Sequence, residues 1–220
     1  LLDQCAEKGV KTLQLFTARF SETGDPELAE LERELLRRAR AAEIRVIGPN
    51  CMGIYYPEGG MAFKGAMPPE PGGVGVLSQS GGNALELVME ASVRGVRFSK
   101  VVSYGNALDL NEADFMDYFA EDPSTKVVAA YIEGVKDGRR FFQALRKAAA
   151  SKPVVVLKGG RTSAGDRAVD SHTESLAGAA EMWDALAKQT GALLADSMDA
   201  LVDLLVAFTF CPPASGTRVA

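Results

Sequence analysis

Apolar and polar residues along this chain come in blocks rather than one by one. The runs "GVGVLS" (73–78), "FSKVVSY" (98–104), "KVVAAYIE" (126–133), "KPVVVLKG" (152–159) and "ALLA" (192–195) are dominated by Val, Leu, Ile and Ala. Each is followed by a stretch with helical periodicity, predicting helices at roughly 82–94, 111–121, 138–150, 176–190 and 197–208. A strand that is apolar at nearly every position has to be covered on both faces, whereas a half-exposed strand alternates. Five such units predict an α/β fold: a flavodoxin-like, doubly wound parallel sheet whose site forms at the C-terminal ends of the strands.

An earlier piece follows the same logic on a smaller scale. "VKTLQLF" (10–16) reads as a strand, and "IRVIG" (44–48) as a second, short one. The helix between them starts at Asp25-Pro26 and aligns Leu28, Leu31, Leu35, Ala39 and Ala42 on one face. A Gly- and Pro-rich loop from Pro49 to Gly73 then breaks the pattern. The expected division is residues 1–56 as the C-terminal part of a Rossmann-like domain, 57–72 as linker and 73–210 as the flavodoxin-like domain. Residues 211–220 read as the start of something further. The first piece lacks strand partners of its own and a new strand is expected to begin at the end, so the chain reads as an internal slice of a longer polypeptide.

Composition narrows the classes. With 220 residues, 47% of them hydrophobic, a full core can form. The net charge of −5 and the lack of any basic stripe argue against nucleic-acid or membrane-surface binding. No apolar run reaches the ~18–20 residues of a membrane span, and no signal peptide opens the sequence. The three cysteines (Cys5, Cys51, Cys211) form no CxxC and, with one histidine, no zinc spacing, so no metal site and a reducing, cytoplasmic setting are expected.

Four stretches could carry chemistry. In "GVGVLSQSGGNALELV" (73–88) a strand runs through a Ser/Gly turn into a helix. The unpaired N–H groups at Gly81, Gly82 and Asn83, with the Ser78 and Ser80 hydroxyls, could seat a phosphate or carboxylate. The ordinary structural reading is a serine N-cap. The turn fits neither G-x-G-x-x-G nor the P-loop. A serine hydrolase with Ser80 as nucleophile and His172 as base is a further reading, but the strained G-x-S-x-G elbow lacks its first glycine. Glu133 ends the third strand of the series, where a carboxylate could orient an imidazole; a solvated loop carboxylate is the commoner case. "GPNCMG" (48–53) is a Pro-fixed turn in which Cys51 reads as a small buried hydrophobe. The only histidine, His172, lies in the long, Gly-rich "KGGRTSAGDRAVDSHTESLAG" (158–178). Ser171-x-x-Glu174 there reads as a capping box, which would put a neutral, nucleophilic imidazole in the first turn of a helix.

Taken together, "GPNCMG", "GVLSQSGG", "YIEGVKDGRRF", "KGGRTSAGDRA" and "SHTESLAG" resemble, in order and spacing, the α-type portion of the NDP-forming acyl-CoA synthetases. That family includes succinyl-CoA synthetase and ADP-forming acetate–CoA ligase. The resemblance implies that His172 is phosphorylated and relays the phosphoryl group, and that Glu133 holds it. It further implies that phosphate sits at Ser80, Gly81 and Gly82, and that Asn50 and Cys51 lie near the thiol end of coenzyme A. Acyl-CoA, phosphate and ADP would be interconverted with a small carboxylic acid, CoA and ATP. ATP/ADP and Mg2+ would bind in an ATP-grasp domain or subunit absent from this chain, which alone should not turn over; the complete protein is expected to be an oligomer. A non-catalytic acyl-CoA-binding or regulatory module of the same ancestry is the alternative. One residue departs from the pattern: Glu174 stands where the family has glycine after "SHT".

Overall fold

In a computed structural model of the chain, the described residues are 2–65, 67–160 and 180–211. The amino-terminal unit comprises α1 (Leu2–Glu7), β1 (Thr12–Gln14), α2 (Pro26–Ala41) and β2 (Arg45–Ile47). β1 and β2 pair in parallel, Leu13 opposite Val46. Asp25 caps α2 by accepting from the Glu27 N–H, with Pro26 supplying the preset first-turn φ. Ala39, Ile44 and Val46 form the small core beneath it.

The apolar face expected for α2 is only partly covered. Leu31 is 53% exposed while its neighbour Glu32 is buried. The carboxylate wins the interior position because donors meet it there: the Ser21 N–H at 2.9 Å and the Asn106 amide at 3.3 Å. A two-stranded sheet is too narrow to cover the leucine stripe as well.

The second unit holds β3 (Gly53–Tyr55), β4 (Pro71–Ser78), α3 (Gly81–Val93), β5 (Phe98–Ser103), α4 (Glu112–Glu121) and β6 (Val127–Ile132). It continues through α5 (Gly138–Ser151), β7 (Val154–Lys158), α6 (Ala180–Thr190), β8 (Leu193–Ala195) and α7 (Met198–Phe210). The sheet order is β3-β5-β4-β6-β7-β8. The last five are parallel to one another, and β3 adds an antiparallel edge that the pattern did not reveal, Ile54 opposite Val102. Of residues 176–190, expected to be one helix, the described part is α6 from 180.

Burial on both faces explains the continuous apolar runs. Val74, Val76, Val101, Ala129 and Val155 point toward α3 and α7. Leu77, Val102, Val128, Ala130, Val154 and Val156 point toward α4, α5 and α6. Each large aliphatic side chain buried there contributes roughly 1.5–3 kcal/mol. The chain leaves β4 toward β5 on one side and returns to β6 on the other, so the C-terminal end of β4 is the switch point where a crevice opens.

The two units are stitched together at that same end. The segment after β5 runs beside β2: Asn106, Leu108 and Leu110 donate to the carbonyls of Pro49, Gly48 and Val46 at 3.1–3.2 Å. Asp109 accepts from the Val46 N–H (3.1 Å) and Arg45 Nε (2.7 Å). Gly105 must be glycine here. Its φ is +54°, and a Cβ would lie 2.2 Å from the Pro49 carbonyl oxygen.

Candidate functional site

The "SQSGG" turn places Ser80 in extended conformation just before α3, its Oγ accepting from the Asn83 N–H at 3.3 Å. This is the capping role read from the sequence. It leaves Gly81 and Gly82 as the first two helical residues, whose N–H groups have no intrahelical acceptor. No acidic residue occupies this first turn, so the positive end of the helix dipole is not compensated by the chain's own carboxylates there. A Cβ at Gly82 would meet nothing closer than Ser80 Oγ at 3.8 Å, so there is open space beside this second helical residue. Ser78 does not join this seat. It is fully buried and donates to the Ser80 carbonyl at 2.6 Å, which tightens the turn from behind.

Glu133, just past the end of β6, is tied to this turn by two connections that sequence reading missed. Gln79 is buried, its N–H donates to the Tyr131 carbonyl (3.0 Å), and its Oε1 accepts from the N–H groups of Glu133 (2.9 Å) and Gly134 (3.0 Å). One side-chain amide thus fixes the loop after β6 against the loop after β4. The second connection is the Tyr131 phenol, which lies close enough to Glu133 and to the Asn83 side chain for both to act on it. Burial first, then the Glu133 charge, push its pKa up to about 12, so the phenol stays a donor at any physiological pH. A tyrosine closing an otherwise aliphatic strand, and a glutamine between two serines, were the available signals.

The chain leaves β7 against this pair: a Cβ at Gly159 would lie 2.7 Å from Tyr131 Oη and 3.3 Å from Glu133 Cγ. Lys158, buried at the end of β7, donates to the Gly159 carbonyl and lies 5.9 Å from the Trp183 ring. His172, Ser171 and Glu174 belong to residues 161–179, outside the described residues.

Two further buried groups face this end of the sheet. Glu112 opens α4, accepts from the Lys136 N–H at 2.8 Å and has its pKa raised by burial. The Tyr104 phenol, also fully buried, has no hydrogen-bond partner among the described residues; burial, then the charges of Glu112 and Glu133, raise its pKa well above the usual value.

The "GPNCMG" turn reaches the seat through Met52. A Cβ on Gly81 would stand 2.5 Å from Met52 Cγ, so the first helical residue has to be glycine for the turn to close over it. Asn50, with φ of 55°, donates its amide to Asn106 Oδ1 at 3.3 Å and is exposed. Cys51 is buried, its thiol 3.5 Å from the Leu15 carbonyl, and burial pushes its pKa up to about 11. It behaves as the small hydrophobe the sequence suggested. Among the described residues no cluster of three or more His, Cys, Asp or Glu could hold a metal ion, and no helix is long and apolar enough to cross a membrane.

Comparison with known proteins matches residues 71–208 to the succinyl-CoA ligase like flavodoxin domain and residues 1–57 to a CoA binding domain. All of the chain aligns, at 41% identity, with 48% of the acetate–CoA ligase [ADP-forming] II subunit alpha of Pyrococcus furiosus. It aligns at 36% identity with 32% of a 4-hydroxybutyrate–CoA ligase [ADP-forming] of Nitrosopumilus maritimus. A solved dinucleotide-forming acetyl-coenzyme A synthetase 1 of Ca. Korarchaeum cryptofilum, in complex with phosphate and ADP, superposes over 98% of this chain. The TM-score is 0.87 at 36% identity, over 46% of that protein. The chain therefore spans half or less of the length of these relatives.

Proposed function

The chain belongs to the NDP-forming acyl-CoA synthetases, the family of the ADP-forming acetate–CoA ligases, and on that premise we propose that it is the CoA-binding and phosphoryl-relay portion of such a ligase. Residues 1–56 would hold part of the coenzyme A, with Asn50 and Cys51 toward its thiol end, and residues 73–210 would carry the relay. Phosphate would bind the N–H groups of Gly81 and Gly82 beside the Ser80 hydroxyl. There a phosphate oxygen attacks the thioester carbonyl, the C–S bond breaks, and the phosphate proton goes to the departing thiolate. The neutral ring nitrogen of His172 then attacks phosphorus and expels the carboxylate acid product. Glu133 would take the hydrogen bond from the other ring nitrogen and offset its growing positive charge. ADP, with its Mg2+, would receive the phosphoryl group in an ATP-grasp partner.

The observation that carries this reading is the link between the helix start and the carboxylate. Gln79 bonds the loop of Glu133 to the turn, and the Tyr131 phenol feels both Glu133 and Asn83 of the first turn of α3. A site that only capped a helix would not need a carboxylate held beside it from the next strand. A relative solved in complex with phosphate and ADP supports the ligase reading.

The test is a phosphoenzyme assay on the complete protein with its ATP-grasp region. Incubation with ATP labelled on the γ-phosphate should give an acid-labile, base-stable adduct that disappears in His172→Ala. Label persisting in that variant removes His172 from the relay. Label absent from the wild type favours a non-catalytic acyl-CoA-binding module. The hydrolase reading predicts fluorophosphonate labelling of Ser80; since that hydroxyl already serves the Asn83 N–H, none is expected.

A further inference from the structure

Glu133 stands on a short loop, Glu133 to Asp137, that joins β6 to α5. Three N–H groups of this loop are met by side chains from two other connections. Gln79, in the turn after β4, takes those of Glu133 and Gly134. Glu112, the first residue of α4, takes that of Lys136 on its Oε1 at 2.8 Å. Asp137 ends the loop by capping α5 through the Arg140 N–H at 3.0 Å.

Stability alone does not account for the second tie. Glu112 is 1% exposed, and burial raises its pKa, so its charge works against folding near neutral pH. A glutamine would accept from the same N–H with no charge to bury. Tyr104 repeats the anomaly. Its N–H donates to the Ser78 carbonyl at 3.0 Å, and its ring lies 5.5 Å from that of Phe115 in α4. Its buried phenol has no hydrogen-bond partner among the described residues and is reached by the charges of both Glu112 and Glu133. Phenylalanine would fill the same space without an unpaired hydroxyl. Two residues unfavourable for folding thus meet next to the one loop that carries the relay carboxylate, and such departures gather where function requires them.

We propose that Glu112 is a positioning residue for Glu133: through the Lys136 N–H, its carboxylate holds the loop after β6 in register with the helix start at Gly81 and Gly82. The inference rests on the ligase reading above and deepens it by adding a residue that touches neither phosphate nor imidazole. Gln79 fixes the loop where it leaves β6, and Glu112 fixes it three residues on, which resists pivoting of the segment between. An ionised acceptor bonds an N–H roughly twice as strongly as a neutral one, and this is what glutamate adds over glutamine. The Tyr104 hydroxyl can rotate its hydrogen toward that charge. Such precision matters, because displacing a reacting group by about 1 Å can cost about a hundred-fold in rate.

The experiment follows label from inorganic phosphate, with acetyl-CoA as the thioester, into the complete protein with its ATP-grasp region. In Glu112→Ala the labelling rate should fall at least about ten-fold, while the phosphate concentration for half-maximal rate changes less than about two-fold. Glu112→Gln keeps an uncharged acceptor, so it should recover most of that loss and stay about two- to four-fold below the wild type. At about pH 7 it should nonetheless have the higher urea midpoint, so that rate and stability move in opposite directions. Asp114→Ala is the converse case: it breaks the capping box and the ion pair with Arg140. Its urea midpoint should drop while labelling stays within about two-fold of the wild type. A wild-type rate in Glu112→Gln, or an equal loss of rate in Asp114→Ala, overturns the proposal even where Glu112→Ala does not fold. Unaffected variants of a protein that does take the label would leave the ligase reading in place; a wild type that takes none sinks that reading and the proposal with it.

Discussion

The starts of α3 and α4 lie on the same edge of the sheet, follow adjacent strands and are built in opposite ways. α4 begins with a complete capping box, Asn111 accepting from Asp114 N–H and the Asp114 carboxylate accepting from Asn111 N–H, with Glu112 between them. Its positive end is thus filled by carboxylates of the chain itself. α3 begins with a neutral serine, two glycines and no acidic residue in its first turn. One helix start has been closed with internal anions. The other has been left with N–H groups on two residues that carry no side chain, and with the loop of Glu133 tied to it by Gln79. A helix optimised only for stability would look like α4. The contrast supports reading α3 as the place where an external anion supplies the missing charge.

Making α3 resemble α4 should have the largest effect. Gly82→Asp puts a carboxylate at the second helical position, where a side chain has room. The helix should gain roughly 0.3–1 kcal/mol from the dipole, with a similar gain from replacing glycine. Phosphate, meeting a fixed negative charge in its seat, should lose at least about a hundred-fold in affinity, or ~2.7 kcal/mol. Stability by urea denaturation and the phosphate KM of the complete enzyme read the two effects separately. A variant that is more stable and still binds phosphate normally would end the assignment.

Cutting the tie between the seat and Glu133 should do less. In Tyr131→Phe the ring still fills its place, while the phenol's interactions with Glu133 and Asn83 are lost. Glu133 remains fixed at its backbone by Gln79. The rate of phosphoenzyme formation should fall about ten-fold, with stability changed by ~1 kcal/mol or less. An unchanged rate would mean that the phenol is there only for packing.

These contrasts were unevenly legible in the sequence. The five parallel strands were plain, because runs such as "VVVL" can only be accommodated between two layers. The Ser80 cap and the position of Glu133 at a strand end followed from local pattern alone. β3 was hidden: three residues in a Gly- and Pro-rich loop carry no periodicity, and their pairing partner lies nearly fifty positions away at Val101–Ser103. Gln79 and Tyr131 were missed for a related reason. Gln79 acts through a side-chain hydrogen bond across more than fifty positions and Tyr131 acts partly on Asn83 in α3, so a glutamine between two serines and a tyrosine at a strand end were only faint local signals. Ser78 was wrongly counted toward the seat, because the turn's tightness buries its hydroxyl under Ser80. The Leu31 and Glu32 positions on α2 were inverted by donors supplied from Ser21 and Asn106, again a tertiary effect.

The smallest expected effect concerns the closed helix start and carries the sharpest sign. Glu112 sits in the first turn of α4, where the dipole and the Lys136 N–H favour its charge, yet burial outweighs them and raises its pKa. A carboxyl whose folded pKa lies above its unfolded value holds its proton more tightly when folded. Between the unfolded pKa of 4.5 and the raised folded value the native state binds more protons, so stability falls as pH rises through that window. Below it the contribution is fully present. Glu112→Gln keeps an acceptor for the Lys136 N–H and cannot ionise. Relative to the wild type it should therefore gain stability as pH rises from about 4 to 7, and the difference should level off above the folded pKa. Urea midpoints for both proteins across that range measure it. A gap that instead grows as pH falls would mean that the Glu112 charge is stabilised in place, and that α4, like α3, draws net stability from an anion at its start.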